Sequence, residues 1–122
     1  MVEERVGAAI VAAARLFAEA RWRRWADRWL EGTDRSEAAA HLAFAVAHAE
    51  VETRAAGPAP PAFAIPAVAA RTAAQLAISL ARINALRRFG QPQLARSLEH
   101  ITAAMADRAG SSATPGNART SD

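Results

Sequence analysis

The three tryptophans of this chain all fall between positions 22 and 29, in Arg21-Trp22-Arg23-Arg24-Trp25-Ala26-Asp27-Arg28-Trp29, the one place where an alanine-rich sequence spends large side chains. At helical spacing Trp22, Trp25 and Trp29 stand at i, i+3 and i+7, so the indoles share one stripe with guanidinium groups along its edges. That stripe must face something. The sequence leaves open whether it is the chain's own core, a second copy, a foreign protein, a bilayer surface or nucleic acid.

Alanine supplies more than a quarter of the 122 residues. It is the best helix former, because it has no side-chain rotamers to lose, yet its methyl buries little area. Long helices are therefore favoured while each contributes weakly to a core, and close packing or self-association should compensate. The pI near 11.2 suggests a nucleic-acid partner, but the net charge is only +3. With no Lys, Tyr or Cys, little titrates between histidine and arginine, so a small positive excess lifts the pI far up. Arginine as the sole basic residue alongside so much alanine reads first as the codon bias of a GC-rich genome. The absence of cysteine excludes disulfides, thiolate catalysis and zinc–thiolate sites. Val2-Glu3-Glu4-Arg5 followed by the brief apolar run Val6 to Ala14 has the wrong polarity and length for a secretory signal, and no apolar stretch is long enough to span a bilayer. The expectation is a cytoplasmic bacterial protein.

Punctuation predicts an all-α chain of four helices, over about 3–31, 34–55, 66–89 and 92–109, forming one domain over 1–110, with a disordered tail over 111–122. Gly32 suits a left-handed cap, Asp34 and Glu37 resemble a capping box, Gly57 and the prolines through Pro61 break the second helix, and Pro66 and Pro92 suit first turns. Residues 61–66 have room for a short helical turn. Short connections make an antiparallel up-down four-helix bundle the simplest topology.

The faces are uneven. In the fourth helix Leu94, Leu98, Ile101 and Met105 form one apolar stripe, which predicts its core face; in the third, Val68, Thr72, Leu76, Leu80 and Ile83 do so opposite Arg71, Gln75 and Arg82. The second helix carries Leu42 and Val46 on one side and Phe44 and Val51 on another, so it should be the most buried. The first changes face: the line through Val6, Ile10 and Phe17 continues into Arg24 and Arg28, with the tryptophans about a quarter-turn away. Its two halves need different neighbours.

Three constellations could carry function. Trp22, Trp25, Trp29, Arg21 and Arg28 are the candidate partner-binding set, since Trp and Arg are enriched at binding hot spots; equally, the indoles are core and the arginines pair along a solvated face, Arg15 and Arg23 with Glu19, Arg24 and Arg28 with Asp27 and Glu31. Arg71, Arg82, Arg87 and Arg88, with no acid between Gly57 and Gln91, form a candidate anion-binding set for nucleic acid or acidic lipid, or else complement Glu50 and Glu52 of the second helix. Glu37, His41, His48 and Glu52, spaced four, seven and four apart, are candidate metal ligands. Against a metal, dinuclear bundle sites draw carboxylates from all four helices, and the third helix has none. No helix-turn-helix, zinc finger or aromatic sheet platform supports nucleic-acid binding, and Glu19, Asp27 and Glu31 weaken a membrane-surface reading. Ser36, Ser79 and Ser97 lie outside any nucleophile-elbow sequence, His100 next to Glu99 points away from it on a helix, and no glycine loop could cradle phosphate. No cofactor is implied, and an enzyme is not expected.

The run Trp25-Ala26-Asp27-Arg28-Trp29-Leu30, continued by Asp34-Arg35-Ser36-Glu37-Ala38-Ala39 and alanine-rich helices with isolated histidines, resembles the alanine-rich immunity proteins of bacterial toxin systems. The resemblance implies a non-enzymatic protein that neutralises a partner toxin, with no contact residue carried over. The first expectation is thus a small helical interaction protein that binds a partner protein or forms a homodimer through its Trp/Arg surface.

Overall fold

The computed structural model describes residues 1–58 and 61–113. Among these the chain is all-helical and contains no strand: α1 (Val2–Ala14), α2 (Ala20–Glu31), α3 (Glu37–Ala56), a 3-10 turn (Pro61–Ala64), α4 (Ile65–Arg88) and α5 (Pro92–Ala113).

The expected single helix over 3–31 is two helices. In one continuous rod, at 100° per residue, Trp22 and Trp29 would stand roughly 130° from the Val6–Ile10 line, wider than a quarter-turn. Both faces are nonetheless buried, Val6 and Ile10 on α1 and Trp22, Trp25, Ala26 and Trp29 on α2. The chain resolves the conflict by leaving the helix at Arg15 and re-entering at Glu19. Leu16 and Phe17 N–H groups close onto the Ala13 carbonyl at 3.0 and 2.9 Å, and Glu19, extended at φ −64°, ψ 127°, caps α2. Its carboxylate accepts from the Arg21 and Trp22 backbone N–H groups, the latter at 3.1 Å, and from Arg21 Nε at 2.8 Å. Partial burial raises the Glu19 pKa, but these hydrogen bonds and the Arg21 charge outweigh it and hold the carboxyl below its ordinary value. No glycine or proline marks this break.

Other boundaries follow local chemistry. At Gly32 (φ 81°) the Thr33 N–H reaches the Arg28 carbonyl at 2.9 Å and the Gly32 N–H that of Trp29 at 3.1 Å, the paired bonds of a Schellman stop. Gly90 (φ 75°) repeats the pattern through Gln91 to Leu86 and Gly90 to Arg87. Helix α3 begins later than the capping-box reading placed it. Ser36 is the cap, accepting from the Ala39 N–H at 3.2 Å, while Asp34 accepts from the Ser36 N–H at 3.1 Å. Pro66 lies in the first turn of α4 and Pro92 opens α5, positions where a missing N–H costs nothing. Helix α5 continues past Gly110 to Ala113, so of the expected tail 111–122 the first three residues are helical and 114–122 lies outside the described residues.

Helix α4 is central, packing against α1, α3 and α5, while α1 also meets α5 and α2 rests on α1 and α3. It buries Ala67, Ala70, Ala73, Ala74, Leu76, Ala77, Ile78, Leu80 and Ile83. The second predicted helix, expected to be the most buried, contributes only Ala40, Ala43 and Ala47. The α5 expectation is corrected too: Ala95, Thr102 and Ala106 face inward, whereas Leu94 and Ile101 are 57% and 58% exposed and Leu98 and Met105 half-buried. Alanine faces let helix axes approach to the short end of the 8–10 Å range, which brings more backbone into dispersion contact and displaces larger side chains to the flanks.

The indoles lie inside this assembly. Phe17, Trp22 and Trp25 form successive edge-to-face contacts, with ring centroids 5.8 and 5.6 Å apart. Trp22 donates its Nε1–H to the Ala70 carbonyl on α4 at 3.2 Å, tying α2 to the central helix. Arg35 stacks its guanidinium 4.2 Å from the Trp29 ring centroid, donates from Nε to the Trp29 carbonyl at 2.8 Å, and pairs with Glu3 of α1.

Candidate functional site

Since α2 leans on α3 with its indoles turned inward, the side of α2 next to the indole stripe is left standing beside α3. A groove of about 600 Å³ runs between the two helices, lined by Arg21, Arg24, Trp25 and Arg28 from α2, Asp34 from the connection, and Ala39, Leu42, Ala43, Ala45, Val46 and Ala49 from α3. Arg21, Arg24 and Arg28 recur at i, i+3 and i+7, and Leu42, Val46 and Ala49 at i, i+4 and i+7, so each helix presents one straight row to the groove. Leu42 is 72% exposed, the one large hydrophobic side chain on α3 that is exposed.

The charge in the groove is one-sided. Arg21 pairs with its neighbour Glu19 at 2.8 Å, while Arg24 and Arg28 form no ion pair among the described residues; the pairings expected with Asp27 and Glu31 are not made, and Glu19 meets Arg21 instead of Arg15 or Arg23. Asp34 is the one carboxylate in the lining. Its hydrogen bonds with Ser36 hold it below its ordinary pKa against opposing desolvation, with a smaller lowering from the Arg28 charge.

Of the candidate partner-binding set, the structure thus separates two kinds of residue. Arg21 and Arg28 line the groove. Trp22 and Trp29 are buried in the chain's own core, and only Trp25, 5% exposed, contributes to the groove wall. The Trp25 Nε1–H is itself buried without an acceptor among the described residues. Arg24, Leu42 and Val46 complete the site, and the spacing of Leu42 and Val46 on a helix side different from Phe44 was the available signal.

The candidate anion set does not converge. Arg71 reaches His48 Nδ1 at 3.1 Å, Arg82 pairs with Glu37 at 3.3 Å and Arg87 with Glu99 at 2.7 Å, each at a different point along α4. Glu50 and Glu52 do not face those arginines; Glu50 pairs with Arg54 and Glu52 with His48 within α3. The candidate metal ligands divide into two pairs, His41 with Glu37 at 3.2 Å and His48 with Glu52 at 3.3 Å, and no group of three or more such side chains could hold a metal among the described residues. The hydrogen bond to His41, and secondarily Arg82, lowers the Glu37 pKa against opposing desolvation. His48 also stacks on Phe44, with ring centroids 5.8 Å apart. His48 joins α3 to α4 through Arg71, whereas His41 pairs within α3 and the second link between the helices is Glu37 with Arg82.

Fold and groove together define a small all-helical protein with an arginine-rimmed channel between two helices, and no described helix is long and apolar enough to cross a membrane. No protein-family model matches the chain, and neither a curated protein nor a solved structure matches it.

Proposed function

We propose that this chain is a small non-enzymatic interaction protein that binds a partner protein through the groove between α2 and α3. The observation that carries the reading is the pairing of an arginine row, in which Arg24 and Arg28 hold no ion pair among the described residues, with an exposed leucine over a floor of small side chains. Apolar contact surrounded by a polar, charge-bearing rim is the anatomy of a protein interface, and arginine is among the residues enriched there. The reading moves the interaction from the indoles to the arginines beside them: Trp22 and Trp29 are packed in the core, Trp25 forms part of the groove wall, and the partner meets Arg21, Arg24, Arg28, Leu42 and Val46. Toxin neutralisation, implied by the resemblance over residues 25–39, uses this same segment, because those residues frame the groove. An antiparallel up-down course for α3 and α4 is part of the proposal. It is supported by Glu37 near the start of α3 meeting Arg82 late in α4, and His48 further along α3 meeting Arg71 early in α4.

A photo-crosslinking side chain in place of Leu42, introduced in the native host, tests the reading. It should yield one discrete adduct with a second polypeptide, abolished by Arg24→Glu, while the same group in place of Ile101 on α5 should not. An adduct with another copy of this chain would make the groove a homodimer contact. No adduct at position 42, or equal adducts at both positions, would remove the proposal.

A further inference from the structure

The groove's dimensions and charge define the chemistry of its occupant, and we infer that it receives an acidic amphipathic α-helix from the partner protein. This rests on the partner-binding reading above and specifies it. Arg21 to Arg28 covers about 10 Å along α2, as does Leu42 to Ala49 along α3, at 1.5 Å per residue. Two turns of an incoming helix have the same length. Carboxylates at i, i+3 or i+4 and i+7 on that helix repeat with the same period as Arg21, Arg24 and Arg28, so two charge pairs form in register with Arg24 and Arg28, and a third carboxylate reaches Arg21 in competition with Glu19. Apolar side chains on the adjacent stripe meet Leu42 and Val46, while Ala39, Ala43, Ala45 and Ala49 offer little side chain to hold a third helix axis away.

The charge pattern selects an acidic helix over other anionic ligands. A fatty acid supplies one carboxylate and a vesicle surface supplies charge without periodicity; neither matches three guanidinium groups at helical repeat. A basic or neutral helix would leave Arg24 and Arg28 desolvated beside apolar contacts without counter-charge, which costs more than the contacts return. Asp34 is the one carboxylate among the lining residues; held by Ser36, it offsets part of the Arg28 charge and leaves the row with a net positive excess.

A display library of helical peptides about fourteen residues long, randomised at surface positions and panned against the full chain, tests the inference. Enriched sequences should carry Asp or Glu at i, i+3 or i+4 and i+7, with Leu, Ile or Met on the neighbouring stripe. The enriched peptide should lose about tenfold or more in affinity against the double variant Arg24→Glu, Arg28→Glu and weaken with added salt, and its analogue with lysines in place of the acids should bind that variant better than the wild-type chain. Both proteins should show the same helical circular dichroism, since neither arginine makes an ion pair among the described residues, with the midpoint of the variant lowered by a few degrees because Arg28 lies in the last turn of α2 near Asp34; the variant should be assayed for binding below that midpoint. Enrichment without acidic periodicity, no enrichment, or tighter binding to acidic vesicles than to any peptide would overturn the inference. A crosslinked partner at position 42 alongside such a failure would leave the interaction reading intact and exclude only the acidic helix. Absence of both results would end both.

Discussion

Two neighbouring tryptophans offer the same substitution in opposite polar circumstances, and replacing each by phenylalanine separates their roles. Trp22, fully buried, donates to the Ala70 carbonyl at 3.2 Å; Trp25, 5% exposed, has a buried Nε1–H with no acceptor among the described residues. Both changes remove a similar volume, on the order of 40 Å³, which at roughly 24 cal/mol per Å³ of residual cavity costs about 1 kcal/mol, with a comparable loss of transfer free energy. Trp22→Phe also forfeits a hydrogen bond of about 1 kcal/mol. Trp25→Phe eliminates an unsatisfied donor whose burial costs about 1–3 kcal/mol. The two variants should therefore differ by about 2 kcal/mol or more, Trp22→Phe being the less stable, and Trp25→Phe should lie near the wild type. Urea unfolding followed by far-ultraviolet circular dichroism reads this free-energy difference without depending on indole emission, and in thermal unfolding, at roughly 4 °C per kcal/mol for a chain of this size, the midpoints should differ by about 8 °C. Equal losses, or a larger one for Trp25→Phe, would show that the indole N–H groups do not control the energetics of this cluster.

The capping carboxylate at Glu19 should give the break between α1 and α2 a pH signature. Its folded pKa lies below its ordinary 4.5, so its contribution is fully present above that value and is lost as pH falls through the folded pKa. The stability gap between wild type and Glu19→Gln, measured by urea titration at a series of pH values, should be open at neutral pH and close in acid; a gap independent of pH would contradict the assignment. Arg35→Lys should cost about 1 kcal/mol in thermal unfolding, because an ammonium loses the planar stack on Trp29 and cannot hold the Trp29 carbonyl and Glu3 together; an unchanged midpoint would refute this. On α5, Ile101→Gln should shift the midpoint little, since Ile101 is 58% exposed, whereas Thr102→Leu, forced into the buried face one residue away, should cost about 1–3 kcal/mol. The reverse order would place the helix in a different rotation.

What was legible in the residues was the chemistry that acts within a few positions. Gly32 and Gly90 stop helices because a positive φ is inexpensive only without a Cβ, and Pro66 and Pro92 open them because the first turn has N–H groups to spare. Alanine's propensity made helices of the rest, and the arginines at 21 and 28 were recognisable as exposed beside an indole stripe. The break at residues 15–19 was not legible, because Leu16, Phe17 and Glu19 are all acceptable within a helix; it exists because two faces set far apart around one rod must enter one core. Nor was the rotation of α5 or the thin burial of α3 legible. Hydrophobic periodicity counts large side chains, but in this chain the buried positions of these helices are held by Ala40, Ala43 and Ala47 and by Ala95 and Ala106, with Leu42 and Ile101 on the flanks. The site depends on that outcome. Sequence alone determined that the chain is helical and where most of its helices end, because those choices are made by local backbone geometry. Only the tertiary structure decided which faces meet and that Arg24 and Leu42 look into one groove, because those choices are made by the spacing at which whole helices pack.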